Sequence, residues 1–252
     1  MRQDDGAYFS GETEAGTAHY HDVSELNIEP TNDSSEYRSA PEVNWYSFLE
    51  TTYKRPNLEE LSRELKLSVE SLKSVQFGHD GQAWTNPELD GNGVVIGIKR
   101  RFPNGKKNYH KGSRPGLAVP AGWAKSDTIL IVEGATDVAA ALDMGCKSIG
   151  RPSATGGTHH LAVLLESFKG KIILVAENDR KYAGCETFCG HCGQCWPGWY
   201  GGNKLATQLT QRLDRTIGFA LTPGGAKDLR EFKEQDGKEL IEKLEVTDHV
   251  PF

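Results

Sequence analysis

Acidic side chains follow several apolar segments of this 252-residue chain, each where a buried strand is expected to end. Glu133 directly follows one such segment, and Asp137 lies one helical turn further on. Glu177 and Asp179 follow a second segment, and Asp228 comes after a third. Carboxylates gathered at one place repel each other unless a cation joins them, and an all-oxygen ligand set suits Mg²⁺ or Mn²⁺. Because such ions usually also hold phosphates, the pattern predicts metal-dependent chemistry on a phosphate group.

The elements that must position these acids alternate between strands and helices from residue 128 onward. Near-continuous apolar segments predict strands at 128–132, 147–150, 171–176 and 216–221. Helices are predicted at 135–144, 158–168, 203–214 and 227–244, the last broken near Asp236. Such an alternation is typical of an α/β fold with a parallel sheet covered on both faces, whose ligands bind at the carboxyl ends of the strands. Any one acid could simply cap a helix, but the shared position favours a common site.

A different pattern precedes this sheet and predicts a smaller, basic α+β subdomain over 41–125. Asn57, with Glu60 three residues later, indicates the start of a helix in the segment 56–75, and Ser68 caps a second helix. Two short helices joined this closely could be a DNA-reading helix-turn-helix. A helical hairpin packed on its own domain is favoured, because the second helix carries the acidic Glu70.

A basic hairpin follows the two helices. The sequence VVIGIKRRF (94–102) predicts a strand, PNG a tight turn, and KKNYHKG a returning strand. No acid occurs from residue 99 to residue 114, which contain Lys99, Arg100, Arg101, Lys106, Lys107, Lys111 and Arg114. With Tyr109 and His110 interleaved, this pattern favours contact with a phosphate backbone and stacked bases. Solvated charge that protects an edge strand is the alternative.

Four cysteines form a cluster in an insertion at 184–202: Cys185, Cys189, Cys192 and Cys195. Their spacing predicts a structural Zn²⁺ site. The first three also match the spacing of radical-SAM cluster ligands, but too few residues follow for the barrel of such enzymes. Trp199 comes next and could either stack on unpaired bases or form a small core around the zinc. Cys146 lies apart, and we expect it in the core.

Composition places the chain among ordinary globular proteins, with 37% hydrophobic and 25% charged residues. No apolar run approaches the roughly 18 residues of a membrane span, and no apolar signal segment opens the chain. We therefore expect a cytoplasmic protein without a membrane partner. Residues 1–40 hold nine acids against Arg2 and Arg38, and this polar, aperiodic segment is predicted to be a disordered acidic tail.

The order Glu-Gly-x-x-Asp after one strand and acid-x-acid after a later one resembles the TOPRIM domain. The segments SATGGTHHLAVLL, GNKLATQL and GGAKDL are similar to further TOPRIM segments of DNA primases. The basic hairpin is similar to the strand-rich half of phage and plasmid primase cores. The chain thus resembles the catalytic core of bacterial-type DNA primases, which implies a TOPRIM domain over 126–252.

The resemblance also implies roles for individual residues. Glu133, Asp179, Lys99 and Arg101 would be catalytic. The Mg²⁺ or Mn²⁺ ligands would be Glu133, Asp137, Glu177, Asp179 and Asp228. Contacts to nucleic acid or substrate would come from Lys106, Lys107, Lys111, Arg114, Lys227 and Trp199.

The implied activity is synthesis of short RNA primers from NTPs on single-stranded DNA, with a replicative helicase as a partner that the resemblance allows. Two residues depart from the family pattern: Glu177 stands where aspartate is usual, and Arg230 where many primases have another acid. A TOPRIM nuclease and a non-enzymatic replication accessory that binds nucleic acid remain alternatives. The basic hairpin favours the primase.

The cysteine cluster makes a testable prediction about metal content. We expect the purified chain to contain one zinc ion, and Cys192→Ser to lose it, because a structural zinc site needs all four ligands. Elemental analysis of the purified proteins measures this directly. Cys146→Ser is the matched control and should keep its zinc; equal zinc contents in the two variants would contradict the prediction.

Overall fold

The computed structural model describes residues 9–13, 16–20, 43–53, 57–180, 196–235 and 239–250. Within the acidic tail, β1 (Phe9–Thr13) and β2 (Gly16–Tyr20) pair as an antiparallel hairpin. In these ten residues the structure differs from the predicted disorder, because two adjacent segments can satisfy each other's backbone groups whatever their composition. The rest of the tail and the four clustered cysteines lie outside the described residues.

Three helices open the next part of the chain: α1 (Trp45–Tyr53), α2 (Leu58–Leu65) and α3 (Val69–Ser74). The leucines of α2 recur at helical spacing, and Leu58, Leu61 and Leu65 are all buried. Lys66 ends α2 in a left-handed conformation, and the Ser68 hydroxyl caps α3 by accepting a hydrogen bond from the Ser71 amide. The predicted hairpin of two short helices is therefore present.

An antiparallel sheet of four strands carries the basic residues. Its strands are adjacent in chain order: β3 (Gly78–His79), β4 (Trp84–Leu89), β5 (Val95–Arg101) and β6 (Lys107–Tyr109). Arg101 pairs with Lys107 at the end of the predicted basic hairpin. Gly105 completes the turn with a φ of 79°, a conformation that glycine adopts without strain.

A second sheet carries the acidic residues. Its five strands are β7 (Thr128–Glu133), β8 (Ser148–Arg151), β9 (Lys171–Ala176), β10 (Ile217–Leu221) and β11 (Thr247–His249). The spatial order is β11-β10-β9-β7-β8, and all neighbouring pairs are parallel except β10 and the short edge strand β11. The four parallel strands are those predicted from the apolar segments, whereas β11 was not predicted.

Helices cover both faces of this sheet, as the predicted fold class requires. They are α4 (Gly134–Asp143), α5 (Thr158–Leu165), α6 (Pro197–Leu213), α7 (Leu229–Gln235) and α8 (Leu240–Lys243). Alternate residues of β7 face opposite sides: Leu130 packs in the core that contains α4, and Ile131 packs in the core that contains α5 and α6. No helix in the described part of the chain is long and apolar enough to cross a bilayer.

Helix α6 begins six residues earlier than predicted, inside the segment assigned to the cysteine-rich insertion. The sequence PGWYGG indicates a loop by composition, because glycine disfavours helix interiors. Close packing explains the helix instead. A Cβ on Gly201 would lie 2.6 Å from the Ala154 carbonyl oxygen, and one on Gly202 would lie 2.7 Å from the Ala176 Cβ. Only glycines let α6 approach β9 this closely.

The α2–α3 hairpin, which the sequence assigns to the N-terminal part, shares its core with the C-terminal sheet. Buried leucines of both helices belong to the same apolar cluster as α4 and α7. Asp143, the last residue of α4, fixes this contact. Its carboxylate accepts hydrogen bonds from the Ser68 hydroxyl (2.5 Å), the Ser68 amide (2.9 Å) and the Ser71 hydroxyl (2.6 Å). The Lys233 ammonium group lies 3.2 Å away.

We expect Asp143→Ala to lower the free energy of unfolding by about 3 kcal/mol, because several hydrogen bonds to a buried charge are lost at once. Urea denaturation measures the change. Glu166 is exposed at the end of α5, so Glu166→Ala should stay within about 0.5 kcal/mol of the wild type. A similar loss in both variants would show that Asp143 does not hold the hairpin in place.

The same contact predicts a pH dependence. Burial raises the pKa of Asp143, but hydrogen bonds from Ser68, Ser71 and Lys233 outweigh burial and hold the pKa below its ordinary value. Stability from this group is therefore complete above the ordinary pKa of about 4 and is lost as the pH falls through the lower folded-state value. Urea titrations across this acidic range should show a smaller loss in Asp143→Ala than in the wild type.

Candidate active site

Five predicted acids come together at the carboxyl edge of the parallel sheet. Glu133 ends β7, and Glu177 directly follows β9, the neighbouring parallel strand. Asp137 lies in the first turn of α4, and Asp228 immediately precedes α7. Asp179 lies two residues beyond Glu177. We refer to these five carboxylates as the acidic cluster.

The pKa values of these groups reflect their burial and their mutual repulsion. Asp137 is only 4% exposed. Burial raises its pKa well above the ordinary value, and the charges of Asp228, Glu177 and Glu133 raise it further. Burial and Glu133 likewise raise the pKa of Glu177 to about 7. The protein therefore holds these carboxylates where negative charge is unfavourable and added positive charge would be favourable.

Sequence reasoning missed one residue of this site, Arg151. It ends β8, and the parallel register places it directly beside Glu133. Its side chain is fully buried, with Nη2 3.7 Å from Glu133 Oε2 and Nη1 donating to the carbonyls of Ser153 and Ala154. The available signal was a charged residue directly after the predicted strand 147–150, the same position that identified the acids.

Lys227 and Asp228 bring a second cation and an acid to the edge of the cluster. The Lys227 ammonium group lies 3.8 Å from Glu177 Oε2, which is within ion-pair distance. The Lys227 side chain is also exposed to solvent. Asp228 Oδ1 accepts a hydrogen bond of 2.8 Å from the Glu231 amide and thus caps the start of α7. A capping role and a metal-binding role are compatible, because a carboxylate has two oxygens.

Asp179 is positioned by the first turn of α6. The amide of Gly198 donates a 2.8 Å hydrogen bond to Asp179 Oδ1. Any side chain at Gly198 would collide with the carbonyl oxygen of Glu177 and would bring Cβ within 2.8 Å of Asp179 Oδ1. The first turn of α6 therefore packs directly against Glu177 and Asp179 and fixes their position.

The residue types of the acidic cluster fit a hard divalent cation, although their present arrangement is not a finished ligand set. All donors are carboxylate oxygens, which Mg²⁺ and Mn²⁺ prefer. Among the described residues, however, no three His, Cys, Asp or Glu side chains are arranged to hold an ion. Glu133 turns toward Arg151, Glu177 toward Lys227, and Asp179 toward Gly198. Ion binding would require some of these side chains to leave their present partners.

A narrow cleft of about 30 Å³ separates the basic sheet from residues 134–136, which lie between Glu133 and Asp137 in the chain. Lys99, Arg101 and Lys107 line it, together with the first turn of α4. The Lys99 ammonium group donates to the Pro152 carbonyl oxygen at 3.2 Å, and Arg101 Nη2 lies 3.2 Å from Glu64 Oε1. These two side chains are thus partly engaged within the protein.

Within the basic hairpin, Lys107 lines the cleft opposite the first turn of α4. Partial desolvation there and the charges of Lys99 and Arg101 lower its pKa, while Asp137 and Glu177 act in the opposite direction. Lys107 still has an exposed surface, as have the other predicted cations of this segment, Lys106, Lys111 and Arg114.

Trp199 lies on α6, where it packs edge-on against Phe219 with ring centroids 6.2 Å apart. It is half-buried and lines a pocket of about 380 Å³ at the end of β10. Trp196 lies 6.4 Å from it, and the Arg180 guanidinium covers the Trp196 ring at 5.4 Å. The structure is compatible with either predicted role of Trp199, as part of a small core or as a stacking surface.

No family model and no curated protein match the sequence, but solved structures match the fold. A DnaG primase catalytic domain bound to single-stranded DNA has a TM-score of 0.57 at 15% identity, over 78% of this chain and 75% of that chain. The Escherichia coli primase catalytic core has a TM-score of 0.55 at 15% identity, over 79% and 76%. A primase domain from Pseudomonas aeruginosa has a TM-score of 0.56 at 13% identity, over 78% and 75%.

These similarities confirm, at the level of the fold, the resemblance to bacterial-type primases. The chain has the mixed α/β architecture of their catalytic core, a parallel-rich sheet preceded by an antiparallel one. Because the identities are low, activity has to be argued from the side chains of this chain.

We expect Gly198→Ala to destabilise the fold by about 2 kcal/mol or more, because the new methyl group would overlap the Glu177 carbonyl. This outcome is the reverse of the usual effect, since alanine stabilises an unconstrained helix by up to about 1 kcal/mol relative to glycine. Thermal or urea unfolding measures it. Gln211→Ala, an exposed change in the same helix, serves as the control. A more stable Gly198→Ala variant would show that α6 does not dock tightly on the acid pair.

Proposed function

We propose that the chain is a DNA primase-like nucleotidyltransferase that makes short RNA primers on single-stranded DNA. One observation carries the proposal: cations of β5 and β6 line a cleft together with the first turn of α4, the turn that lies between Glu133 and Asp137 of the acidic cluster. An acidic metal-binding edge opposite a basic wall suits a reaction between two phosphate-bearing molecules. The primase-core fold supports the same assignment.

The acids of the cluster divide by position. Mg²⁺ or Mn²⁺ held by Glu133, Glu177, Asp179 and Asp228 would neutralise charge that develops on the phosphates of an NTP. Asp137 is more deeply buried than these four and would add its negative charge from the interior side of the site. Glu133 is also the N-cap residue of α4. The partial positive charge of that helix end favours a nearby anion, whether a carboxylate or a phosphate.

The cations divide by position. Lys99, Arg101 and Lys107 line the cleft beside the first turn of α4, where they would contact the triphosphate or the reacting strand. Lys106, Lys111 and Arg114 are exposed outside this lining and would follow the template backbone. Lys227, beside Glu177, would reach a phosphate at the opposite end of the cluster.

The segment between Asp179 and α6 would serve the template. A zinc ion held by Cys185, Cys189, Cys192 and Cys195 would fix this segment beside the acid pair, because α6 begins directly after it. Trp199, at the start of that helix, would then stack on an unpaired base. The expected partners are single-stranded DNA, NTPs and a replicative helicase, all of which point to the cytoplasm.

A non-enzymatic accessory is the second candidate, and a specific observation favours it. Glu133 and Glu177 are turned toward cations of the protein itself, Arg151 and Lys227. Together with Glu177 and Arg230 in positions that usually carry aspartate and an acid, this arrangement is also what a site without chemistry would show. A nuclease would use the same acids to cleave rather than to join.

The test is a primer-synthesis assay on single-stranded DNA with labelled NTPs and Mg²⁺ or Mn²⁺. Wild-type protein should give short RNA products, and Asp179→Asn should reduce them by at least about 100-fold, since a metal-binding charge is lost. Asparagine keeps an oxygen that can accept the Gly198 hydrogen bond, so the helix start is preserved. Binding of single-stranded DNA should change little, because the basic strands are untouched.

Glu166→Gln provides the matched control, since it removes an exposed charge that precedes the start of β9, whereas the acidic cluster lies at the carboxyl ends of the strands. Template cleavage in place of synthesis would assign the nuclease function. DNA binding without either reaction, in the presence of both metals, would assign the accessory function.

A further inference from the structure

Arg151 is an unusual residue for the interior of a sheet. Its side chain has no exposed surface, yet Nε and Nη2 lack a hydrogen-bond partner among the described residues. Only Nη1 is engaged, by the carbonyls of Ser153 and Ala154. A buried guanidinium without full hydrogen bonding is costly, so the protein must offset its charge in another way.

The acidic cluster provides that offset. Glu133 is the residue paired with Arg151 in the parallel register, and its Oε2 lies 3.7 Å from Nη2, which is close enough for an ion pair and too long for a hydrogen bond. Glu177, Asp137 and Asp179 also act on Arg151 electrostatically. The positive charge of Arg151 therefore interacts with several carboxylates of the acidic cluster and not with Glu133 alone.

We infer that Arg151 is the resident counter-ion of the acidic cluster, which balances its carboxylates before a divalent cation binds and opposes that cation by repulsion. The inference rests on the proposed function, because it concerns the same divalent-cation site. It assigns Arg151 a positioning role: the residue holds Glu133 at the edge of the sheet and sets the affinity of the site for metal.

Arg151 and a divalent cation would compete for the carboxylate of Glu133. If Glu133 turned to a divalent cation, Arg151 would keep its carbonyl contacts through Nη1 and would remain buried near the new charge. Like charges close together in a protein interior repel, so this arrangement would weaken metal binding. The site should therefore bind its divalent cation less tightly than its number of carboxylates alone would suggest.

Two substitutions separate the charge of Arg151 from its shape. Arg151→Lys keeps the charge but loses the planar donor group, whereas Arg151→Met keeps a long side chain and loses the charge. Mn²⁺ binding is measured by calorimetry at pH 8 on the full chain. We expect Arg151→Met to bind Mn²⁺ about tenfold more tightly than the wild type, and Arg151→Lys to stay within about twofold. Equal affinities in all three proteins would overturn the metal part of the inference.

Thermal unfolding in EDTA tests the counter-ion role without metal. Arg151→Met should melt at a lower temperature than Arg151→Lys, because it leaves the carboxylates without their internal cation. Adding Glu133→Gln to Arg151→Met removes both charges of the pair and should restore part of the loss, even if the single variant folds poorly. If Arg151→Lys is as unstable as Arg151→Met and Glu133→Gln gives no rescue, Arg151 only holds the turn at Ser153, and the inference fails.

The two measurements also separate this inference from the proposed function. If no protein binds Mn²⁺ while Glu133→Gln rescues Arg151→Met, the metal-dependent function fails and the counter-ion role stands. If Mn²⁺ binds the wild type and both variants alike without any rescue, the function survives and the counter-ion role is refuted.

Discussion

The acidic cluster concentrates like charges at one edge of the sheet, and their mutual repulsion constrains how the surrounding elements can pack. A parallel sheet brings the ends of adjacent strands to one edge, and here those ends carry carboxylates. The fold gives these carboxylates fixed partners: Arg151 beside Glu133, Lys227 beside Glu177, and the Gly198 amide on Asp179. Each partner comes from a different part of the chain, so the tertiary fold offsets the repulsion.

The surrounding elements are shaped to meet that constraint. Helix α6 contains glycines where most helices would have larger residues, and this allows its first turn to reach the acid pair. Helix α4 uses small alanines to pack between the sheet and the α2–α3 hairpin, and this packing buries Asp137, the innermost member of the cluster. The basic sheet then closes the opposite side of the cleft. A polar site therefore has its position fixed largely by close apolar packing.

The sequence was sufficient for features that depend on local pattern. The apolar segments predicted the four parallel strands, the PNG turn predicted the basic hairpin, and acids at strand ends predicted the cluster. Features that depend on distant contacts were missed. Residues 197–202 are helical because of their fit against Ala154 and Ala176, and the partnership of Arg151 with Glu133 depends on strand order. Strand β11 is three residues long and too short for a periodic signal.

Helix α4 has a mechanical consequence. Its first turn carries Asp137 and its last residue is Asp143, which is fastened to α3 and α7. A regular helix of ten residues spans only about 15 Å and is stiff over that length. It therefore connects the carboxylates to the outer hairpin at a fixed distance. A displacement of α2 and α3 that carried Asp143 along would also displace Asp137.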